Sequence, residues 1–202
     1  MKVAVIFGGS SEERDVSIAS GREVISAMRS RGHDVIAVDT VRGLLSADAE
    51  RTLKGFKVLE NHPNSTDLEE VRSQPPVVVA NTPELRDVDI VFFALHGGTG
   101  EDGTFQTFLE VSGIPFTGSG RVASTIAMDK DISKRLMLVA SVPTPAWQMC
   151  NPDDTSIEVQ LEYPLIVKPN AQGSTIGLSL VRKRSELRAA IEKAGKFDHE
   201  IM

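Results

Sequence analysis

The sequence predicts an α/β protein in which an open parallel sheet, with helices on both faces, precedes a small α+β lobe. Three apolar runs, Lys2–Phe7, Val35–Val38 and Ile90–Leu95, have the composition of buried strands in a parallel sheet. A segment with helical periodicity separates the first two runs, which is typical of a βαβ crossover. After Trp147 the pattern changes to strand, glycine-rich loop, strand and helix. This change predicts a second, smaller domain.

The first crossover is the best-defined part of the sequence. Apolar residues recur at helical spacing after Lys2–Phe7 and continue to Gly32, which suits the position just beyond a helix C-terminus. These residues are Val16, Ile18, Val24, Ile25 and Met28. A strand, a helix and a strand in this order predict a right-handed parallel crossover. We expect Ile90–Leu95 to join the same sheet as a fully buried strand.

The pattern between Val41 and Asp89 is weak, and we interpret this part as a decorated crossover. Its faint signals lie at Leu53 to Leu59, Asn61 to Asp67 and Val77 to Val79. Further on, Thr104–Val111 predicts a helix that places Phe105, Phe108 and Leu109 on one face and stops at Gly113.

The second domain is predicted from 123 onward, so that the chain divides into 1–122 and 123–202. A helical run over Ser124–Val139 ends before Pro143. The strand Pro164–Lys168, the loop Asn170–Gly177, the strand Leu178–Val181 and the helix Ser185–Lys193 follow. A hairpin around a glycine-rich loop differs from the strand-loop-helix of a Walker P-loop, and the sequence has no G-x-x-x-x-G-K-[ST] motif.

Composition and charge exclude several classes of protein. Of the 202 residues, 41% are hydrophobic and 25% are charged, as in ordinary soluble domains. A net charge of -6 argues against a nucleic-acid surface, which normally shows clustered Lys and Arg. The chain begins directly with a strand that is too short for a signal peptide or a membrane span. The single cysteine, Cys150, fits a structural role in a reducing compartment. We therefore expect a cytoplasmic protein that binds neither nucleic acid nor membrane.

Two glycines, Gly8 and Gly9, follow the first strand at its carboxyl end, where open α/β sheets bind ligands. Glycine lets backbone amides approach a bound anion or the following loop. Ser11 and Glu13 come next and open the helix. Locally, Ser11 suits a helix N-cap and Glu13 suits the helix dipole, so a structural role stays open beside a ligand-binding one.

Other polar side chains stand at a strand end or in the glycine-rich loop. His96 follows the strand Ile90–Leu95, and no ligand at metal-binding spacing accompanies it, so a structural histidine stays open. Lys168 ends an apolar strand before the loop that contains Gly173, Ser174 and Thr175, where an ammonium could reach phosphate oxygens. Taken alone, Lys168 and Lys130 also fit solvated surface groups, and Ser174 and Thr175 also fit a polar turn.

A rival motif lies at Gly118–Ala123, which fits the dinucleotide-binding pattern G-x-G-x-x-[GA]. The acidic residue expected about 20 positions further on is absent, with Ala140 and Ser141 in its place, and the motif is not in the first crossover. Dinucleotide binding is therefore disfavoured.

Three segments carry a family resemblance. Gly8–Ser17 fits the pattern G-G-[ST]-S-x-E-R-[ED]-V-S, and His96–Gly103 fits H-G-x-x-G-E-D-G. Leu165–Gly177 is an apolar strand that delivers a lysine into a small-residue loop. Together they resemble the D-alanine–D-alanine ligases of the ATP-grasp superfamily. Asn170–Gln172 departs from the family, since many members carry more charge there.

The resemblance implies specific roles. Glu13 binds the ammonium group of the first D-alanine, and His96 helps to shape the site for the substrate carboxylate. Lys130 and Lys168 contact the phosphates of ATP, and the loop with Gly173, Ser174 and Thr175 closes over them. Ser174 also joins a hydrogen-bonded link between Glu13 and a tyrosine of a later loop, which makes Glu13 and Ser174 catalytic.

The implied reaction is ATP-dependent formation of D-alanyl-D-alanine through an acylphosphate, for peptidoglycan precursor synthesis, by a homodimer. In the family, Mg²⁺ is held by Asp, Glu and Asn of a second ATP-grasp lobe, and no acidic cluster in this sequence replaces them. We therefore predict no metal ligand among these residues, and little or no ligase activity from the 202-residue chain alone. Two alternatives stay open: another ATP-grasp carboxylate-amine ligase, or a noncatalytic binding or assembly module.

Overall fold

The computed structural model describes residues 1–53, 82–154 and 156–202. They separate into two units, Met1–Thr125 and Ile126–Met202. The weak signals at 54–59, 61–67 and 77–79 lie outside the described residues. The predicted boundary between 122 and 123 stays a prediction. Within the described ranges, no helix is both long and apolar enough to cross a membrane.

The first unit is built on a sheet with the strand order β3-β2-β1-β4. The strands are β1 Lys2–Phe7, β2 Asp34–Asp39, β3 Gly43–Leu44 and β4 Ile90–Phe93. β1 pairs in parallel with β2 and with β4, which confirms the predicted parallel sheet. The short β3 is an antiparallel edge, because it returns directly after β2 and such a short connection cannot cross over.

Helices cover both faces of this sheet, as predicted. α1 (Arg14–Ser30) and α2 (Ala47–Leu53) pack on one face, and α3 (Thr104–Val111) packs on the other. Alternate residues of β1 supply the two cores because strand side chains alternate between faces. The α1 face holds Val3, Val5, Phe7, Ile18, Ile25, Val35 and Ala37, and the α3 face holds Ala4, Ile6, Val38, Val91, Leu95, Phe105 and Leu109.

The last predicted strand of this sheet is shorter and less buried than expected. It ends at Phe93 rather than Leu95, and only Val91 of its four residues is buried. On the side away from β1, a single parallel bridge joins Val91 to Phe116. β4 therefore lies near the end of the described sheet, where fewer neighbours cover it.

The predicted helical run over 124–139 consists of two helices, the first of which crosses the boundary between the two units. α4 spans Arg121–Met128 and α5 spans Lys130–Val139. Between them, Asp129 has an extended backbone with ψ of 107°, and its carboxylate accepts a hydrogen bond from the Ile132 amide at 2.9 Å. The periodicity continues across the break, but the N-cap at Asp129 begins a new helix.

A hairpin and one helix complete the second unit. β5 (Leu165–Val167) pairs antiparallel with β6 (Ser179–Val181), and α6 (Arg184–Ala194) follows. Ile201 forms antiparallel bridges with Cys150 on one side and with Pro169 on the other. The core of this unit contains Val167, Val181, Leu187, Ala190, Ile191, Ala194 and Ile201. The predicted strand, loop, strand and helix are thereby confirmed.

Candidate functional site

The parallel strands of the first unit end together, so the segments that follow them meet at one edge of the sheet. Gly8 and Gly9 follow β1, Thr40 follows β2, and His96 lies three residues beyond β4. This edge contains Glu13 and His96, the two residues that the sequence indicated as candidate substrate ligands.

The loop after β1 is held by hydroxyl groups from two other elements. The Gly8 amide donates to Ser17 Oγ at 2.8 Å, and Ser17 Oγ donates to the Ala94 carbonyl at 2.6 Å. The Gly9 amide donates to Thr40 Oγ1 at 2.7 Å. The sequence left open whether these amides approach an anion or a neighbouring segment, and in the structure they bond within the protein.

An ion pair lies beneath this loop. The Arg14 guanidinium donates to both oxygens of Asp39 at 3.0 and 2.7 Å, and to the Gly9 carbonyl at 3.1 Å. The Arg14 side chain is 11% exposed and the Asp39 side chain is 1% exposed. A Cβ on Gly8 would lie 2.4 Å from the guanidinium, and the φ of Gly8 is +96°, so only glycine fits there.

Glu13 lies against the segment that follows β4. A Cβ added to Gly97 would be 2.7 Å from Glu13 Oε2, so the carboxylate rests directly on this glycine. Ser11 fixes the approach, because its hydroxyl donates to the His96 carbonyl at 2.5 Å and accepts from the Glu13 amide at 3.2 Å. Ser11 therefore joins the two segments, and the residue preceding α1 is Glu13 itself, not the predicted N-cap Ser11.

His96 is half-buried, and its ring bonds to α1. The His96 Nε2 and the Ser20 hydroxyl are 3.1 Å apart. Further along this segment, Asp102 accepts a hydrogen bond from the Thr104 amide at 2.9 Å at the start of α3. The buried Gln106 donates to the Gly100 carbonyl at 2.9 Å. The segment 96–103 is thus held by contacts with both α1 and α3.

The second unit brings Lys130 to the glycine-rich loop. The Lys130 ammonium donates to the carbonyls of Asn170 and Gln172 at 2.7 and 2.6 Å. Asn170 is itself buried, accepting from the Asp131 amide at 2.9 Å and donating to Glu200 Oε2 at 3.2 Å. Lys130 therefore anchors the start of the loop to α5.

Three lysines lie close enough to affect one another's protonation. Burial lowers the pKa of Lys130, and repulsion from Lys168 lowers it further, while Asp198 and Asp129 act in the opposite direction. Burial, and then repulsion from Lys168, also lower the pKa of Lys134. These shifts indicate a cluster of positive charge at one end of the second unit.

The loop places two polar residues in a backbone conformation that is uncommon for side-chain-bearing residues. Ser174 has a φ of +48° and Thr175 a φ of +64°, and both are exposed. The Ile176 amide donates to the Gly173 carbonyl at 3.0 Å, which closes a turn over these residues. The arrangement presents both hydroxyl-bearing residues at the loop tip, as a polar turn would and as a phosphate-covering loop would.

A cavity of about 680 Å³ lies in the second unit beside these lysines. Its lining is largely apolar, with two cationic side chains, Lys134 and Lys168, and one carboxylate, Glu162. The lining includes Lys134, Trp147, Ile166, Lys168, Leu178 and Met202. A mostly apolar cavity with a few polar groups is typical of a site for a small organic molecule or cofactor.

Several residues at these sites were not predicted individually. Asp39 and Asn170 each stand as one polar residue at the end of an apolar stretch, and each is 1% exposed. Lys134 lies one helical turn after Lys130, and that spacing was the available signal. Ser20 and Thr40 gave no signal, because their partners come from distant parts of the chain.

In the structure, a side chain of the protein itself, Glu110, contacts the dinucleotide-like motif Gly118–Ala123. The Arg121 amide at the start of α4 donates to Glu110 Oε1 at 2.9 Å, and a Cβ on Gly120 would lie 2.8 Å from the same oxygen. A carboxylate therefore takes the place where a phosphate would sit. Separately, among residues 1–53, 82–154 and 156–202, no group of three or more His, Cys, Asp or Glu could hold a metal ion.

Comparison with known families identifies the family of the chain. Residues 2–119 match the family model for the D-ala D-ala ligase N-terminus, and residues 139–202 match the model for the D-ala D-ala ligase C-terminus. The chain belongs to the D-alanine–D-alanine ligase family. This confirms the resemblance carried by the three motifs.

Curated members of the D-alanine–D-alanine ligase family align with the whole chain. The D-alanine–D-alanine ligase of Pediococcus pentosaceus is 38% identical over 216 residues, covering 100% of this chain and 61% of the relative. The D-alanine–D-alanine ligase B of Chromobacterium violaceum is 41% identical over 203 residues, covering 100% and 55%. The chain spans about half to three fifths of the length of the curated relatives it matches.

Solved structures of the ligase family share the fold. The D-alanine–D-alanine ligase from Bacillus anthracis superposes with a TM-score of 0.71 at 31% identity, covering 100% of this chain and 56% of that one. The same Bacillus ligase complexed with ATP gives a TM-score of 0.70. The VanG D-Ala:D-Ser ligase from Enterococcus faecalis gives 0.75 at 31% identity, covering 99% and 61%. The predicted α/β fold class is thereby confirmed.

Proposed function

We propose that this chain serves the ATP-dependent ligation of two D-alanine molecules in the cytoplasm, for peptidoglycan precursor synthesis. The observation that carries the proposal is the position of the Glu13 carboxylate against Gly97, at the ligand-binding edge of the sheet. Membership of the D-alanine–D-alanine ligase family supports the assignment.

Glu13 is the proposed ligand for the ammonium group of the first D-alanine. A carboxylate both orients and neutralises an ammonium through charge-assisted hydrogen bonds. His96 borders the same segment, and we propose that it helps to shape the site for the substrate carboxylate. The hydrogen bonds of Ser11 and Ser20 keep this segment in place before the substrate arrives, which reduces the cost of binding.

Lys130 and Lys168 are the proposed ligands for the ATP phosphates, and the loop with Gly173, Ser174 and Thr175 is the proposed cover. The cluster of lysines supports this role, since their mutual repulsion is relieved by a polyanion. Ser174 is additionally proposed to join the hydrogen-bonded link to Glu13 during catalysis.

The chemistry requires activation because a free carboxylate is a poor electrophile. The γ-phosphoryl group moves from ATP to the carboxylate of one D-alanine, which gives an acylphosphate and ADP. The amine of the second D-alanine attacks the acyl carbon, the amide bond forms, and phosphate leaves with the electrons of the broken C–O bond. Positioning and charge neutralisation are what such a phosphoryl transfer demands from a protein.

The residues described here do not fit a magnesium ion. A Mg²⁺ site needs an octahedral set of oxygen ligands, usually with carboxylates, and the described ranges contain no such cluster. We therefore assign no step to a metal held by these residues.

Thermal unfolding with and without ligands tests the proposal, because a ligand that binds the folded state raises its melting temperature. D-alanine and ATP are each expected to raise the Tm of the chain, and L-alanine is not. Glu13→Gln should abolish the D-alanine effect and keep the ATP effect, whereas Lys168→Met should do the reverse. Glu12→Gln is the matched control, since it removes a neighbouring charge and should keep both effects.

Other outcomes would favour other functions. Stabilisation by another amino acid but not by D-alanine would indicate a different ATP-grasp ligase. D-serine is tested as a second substrate, because one structural relative is a D-Ala:D-Ser ligase. Association with a protein partner, without any effect of either ligand, would favour a binding or assembly module. We also propose a homodimer, and a monomeric mass in sedimentation equilibrium would contradict it.

A further inference from the structure

The lysine cluster of the second unit contains one member that the proposed function does not use. α5 places Lys130 and Lys134 four residues apart, so they lie on the same face of the helix. Lys168, just beyond β5, is close enough to lower the pKa of both. Within residues 126–154 and 156–202, no ion pair joins any of the three to a carboxylate.

Most of the hydrogen-bond donors of the Lys130 ammonium are used within the protein. An ammonium has three donors, and two of those on Lys130 are taken by the carbonyls of Asn170 and Gln172. These bonds join α5 to the start of the glycine-rich loop. Lys130 therefore holds the loop in position through these two bonds.

Lys134 is placed differently. Its ammonium donates to Thr144 Oγ1 at 2.6 Å and lies 5.0 Å from the centre of the Trp147 ring. Both contacts are electrically neutral, which leaves two further donors on an ammonium that lines the cavity with Lys168. Glu162 also lines this cavity, but it forms no ion pair with either lysine among the described residues. The carboxylates of Asp129 and Asp198 influence Lys130 but not Lys134. The charge of Lys134 is therefore the less compensated of the two.

We propose that Lys134 is a further phosphate-binding residue, which contacts the polyphosphate of the nucleotide together with Lys168 and Lys130, while Lys130 also holds the loop. The inference rests on the proposed function, because it deepens the nucleotide site of the same unit. Its chemical basis is that an anion with several charges relieves the repulsion between Lys134 and Lys168 and supplies acceptors for their free donors.

The fluorescence of Trp147 can report on ligand binding at this site. Trp147 is the only tryptophan in the sequence, and Lys134 lies over its ring. Its fluorescence is followed while ATP, AMP or inorganic tripolyphosphate is added to the 202-residue chain. Lys134→Met keeps a flexible side chain of similar length and removes the ammonium, with its bond to Thr144 and its contact with the ring. We expect ATP and tripolyphosphate to bind about tenfold more weakly to this variant, as for a lost charge-assisted hydrogen bond.

Three comparisons separate a phosphate contact from a structural role. Lys134→Arg keeps the charge and should bind ATP within about threefold of the unsubstituted chain, and the affinity of Lys134→Met should depend less on salt. Lys183→Met, which removes an exposed lysine of the same unit, should change neither quantity. Equal weakening in the Arg and Met variants, with unchanged salt dependence, would overturn the inference.

The remaining outcomes are also decisive. If Lys168→Met weakens ATP binding and Lys134→Met does not, the nucleotide site stands and the role of Lys134 is wrong. If the unsubstituted chain binds neither ATP nor tripolyphosphate, both the inference and the proposed nucleotide site fail. Should Lys134→Met not fold, amine labelling of the unsubstituted chain gives the answer: tripolyphosphate must protect Lys134 and leave Lys183 reactive, and no protection of Lys134 overturns the inference.

Discussion

Asp39 shows how a single residue holds the edge of the sheet that contains Glu13 and His96. Its buried carboxylate at the end of β2 pairs with Arg14, the first residue of α1, and accepts from the Val41 amide at 2.9 Å. Arg14 in turn follows Glu13 directly, so the ion pair determines where the proposed substrate ligand stands. The motif contained Arg14, but it gave no indication of the partner, because Asp39 is 25 residues away.

Replacing Asp39 by Asn should destabilise the first unit by about 3–5 kcal/mol, because Arg14 would remain as a buried charge without its counter-ion. Urea unfolding followed by circular dichroism measures the loss. Asp34→Asn, at the exposed start of the same strand, is the control and should stay within about 0.5 kcal/mol. Equal stabilities of the two variants would show that the ion pair contributes nothing.

Because of Lys130, the stability of the second unit should vary with pH in the alkaline range. Its folded-state pKa lies below the usual lysine value, so between the folded and unfolded pKa values the unfolded chain binds more protons, and stability rises with pH. Below the folded pKa the cost of burying the charge is fully present. The free energy of unfolding of the unsubstituted chain, minus that of Lys130→Met, should therefore rise from about pH 7 to about pH 10.

The same comparison with Lys183→Met is the control, because that lysine is exposed and its contribution should stay nearly flat. Denaturant titrations at a series of pH values give both differences. A Lys130 difference that falls with pH would contradict the sign of the shift.

At the scale of elements, α1 is fitted closely to the sheet. Gly21 lies in the middle of the helix, and a Cβ there would be 2.6 Å from Phe7 Cγ, an atom in the fully buried core. The apolar periodicity predicted the helix correctly, and Ile18 and Ile25 are buried as expected, but Val16 is exposed. It gave no reason for a glycine in the helix interior, because that reason is the distance to β1.

Gly21→Ala should destabilise the first unit by about 1–2 kcal/mol. Alanine gains about 1 kcal/mol of helix propensity, but the added methyl group overpacks the contact with Phe7 and costs up to about 3 kcal/mol. Ser26→Ala, at an exposed position of α1, is the control and should be neutral or slightly stabilising. A melting temperature for Gly21→Ala above that of the unsubstituted chain would show that the sheet relaxes at no cost.

At the scale of the whole molecule, two units each have their own core and their own candidate ligand site. The first holds the proposed D-alanine site with Glu13 and His96, and the second holds the lysine cluster and the glycine-rich loop. The proposed ligation uses both sites. The chain covers 61% of the length of its Pediococcus relative.

The sequence predicts that the 202 residues alone release little or no phosphate from ATP in the presence of D-alanine and magnesium. The reason lies in the family resemblance, which assigns the magnesium ligands to a second ATP-grasp lobe. A phosphate-release assay on material whose intact mass matches the 202-residue chain checks this. Turnover stimulated by D-alanine would mean that other residues hold the metal.

The sequence by itself determined the α/β class, the membership of β1, β2 and β4 in one parallel sheet, the hairpin with its loop, and the identity of Glu13, His96, Lys130 and Lys168 as candidates. These follow from local periodicity and from short motifs, which neighbouring residues carry. Only the tertiary structure decided the antiparallel edge at β3, the start of a new helix at Asp129, and the partners of Arg14 and Lys130. Those partners come from distant parts of the chain, and spacing along a sequence does not encode which buried donor meets which acceptor.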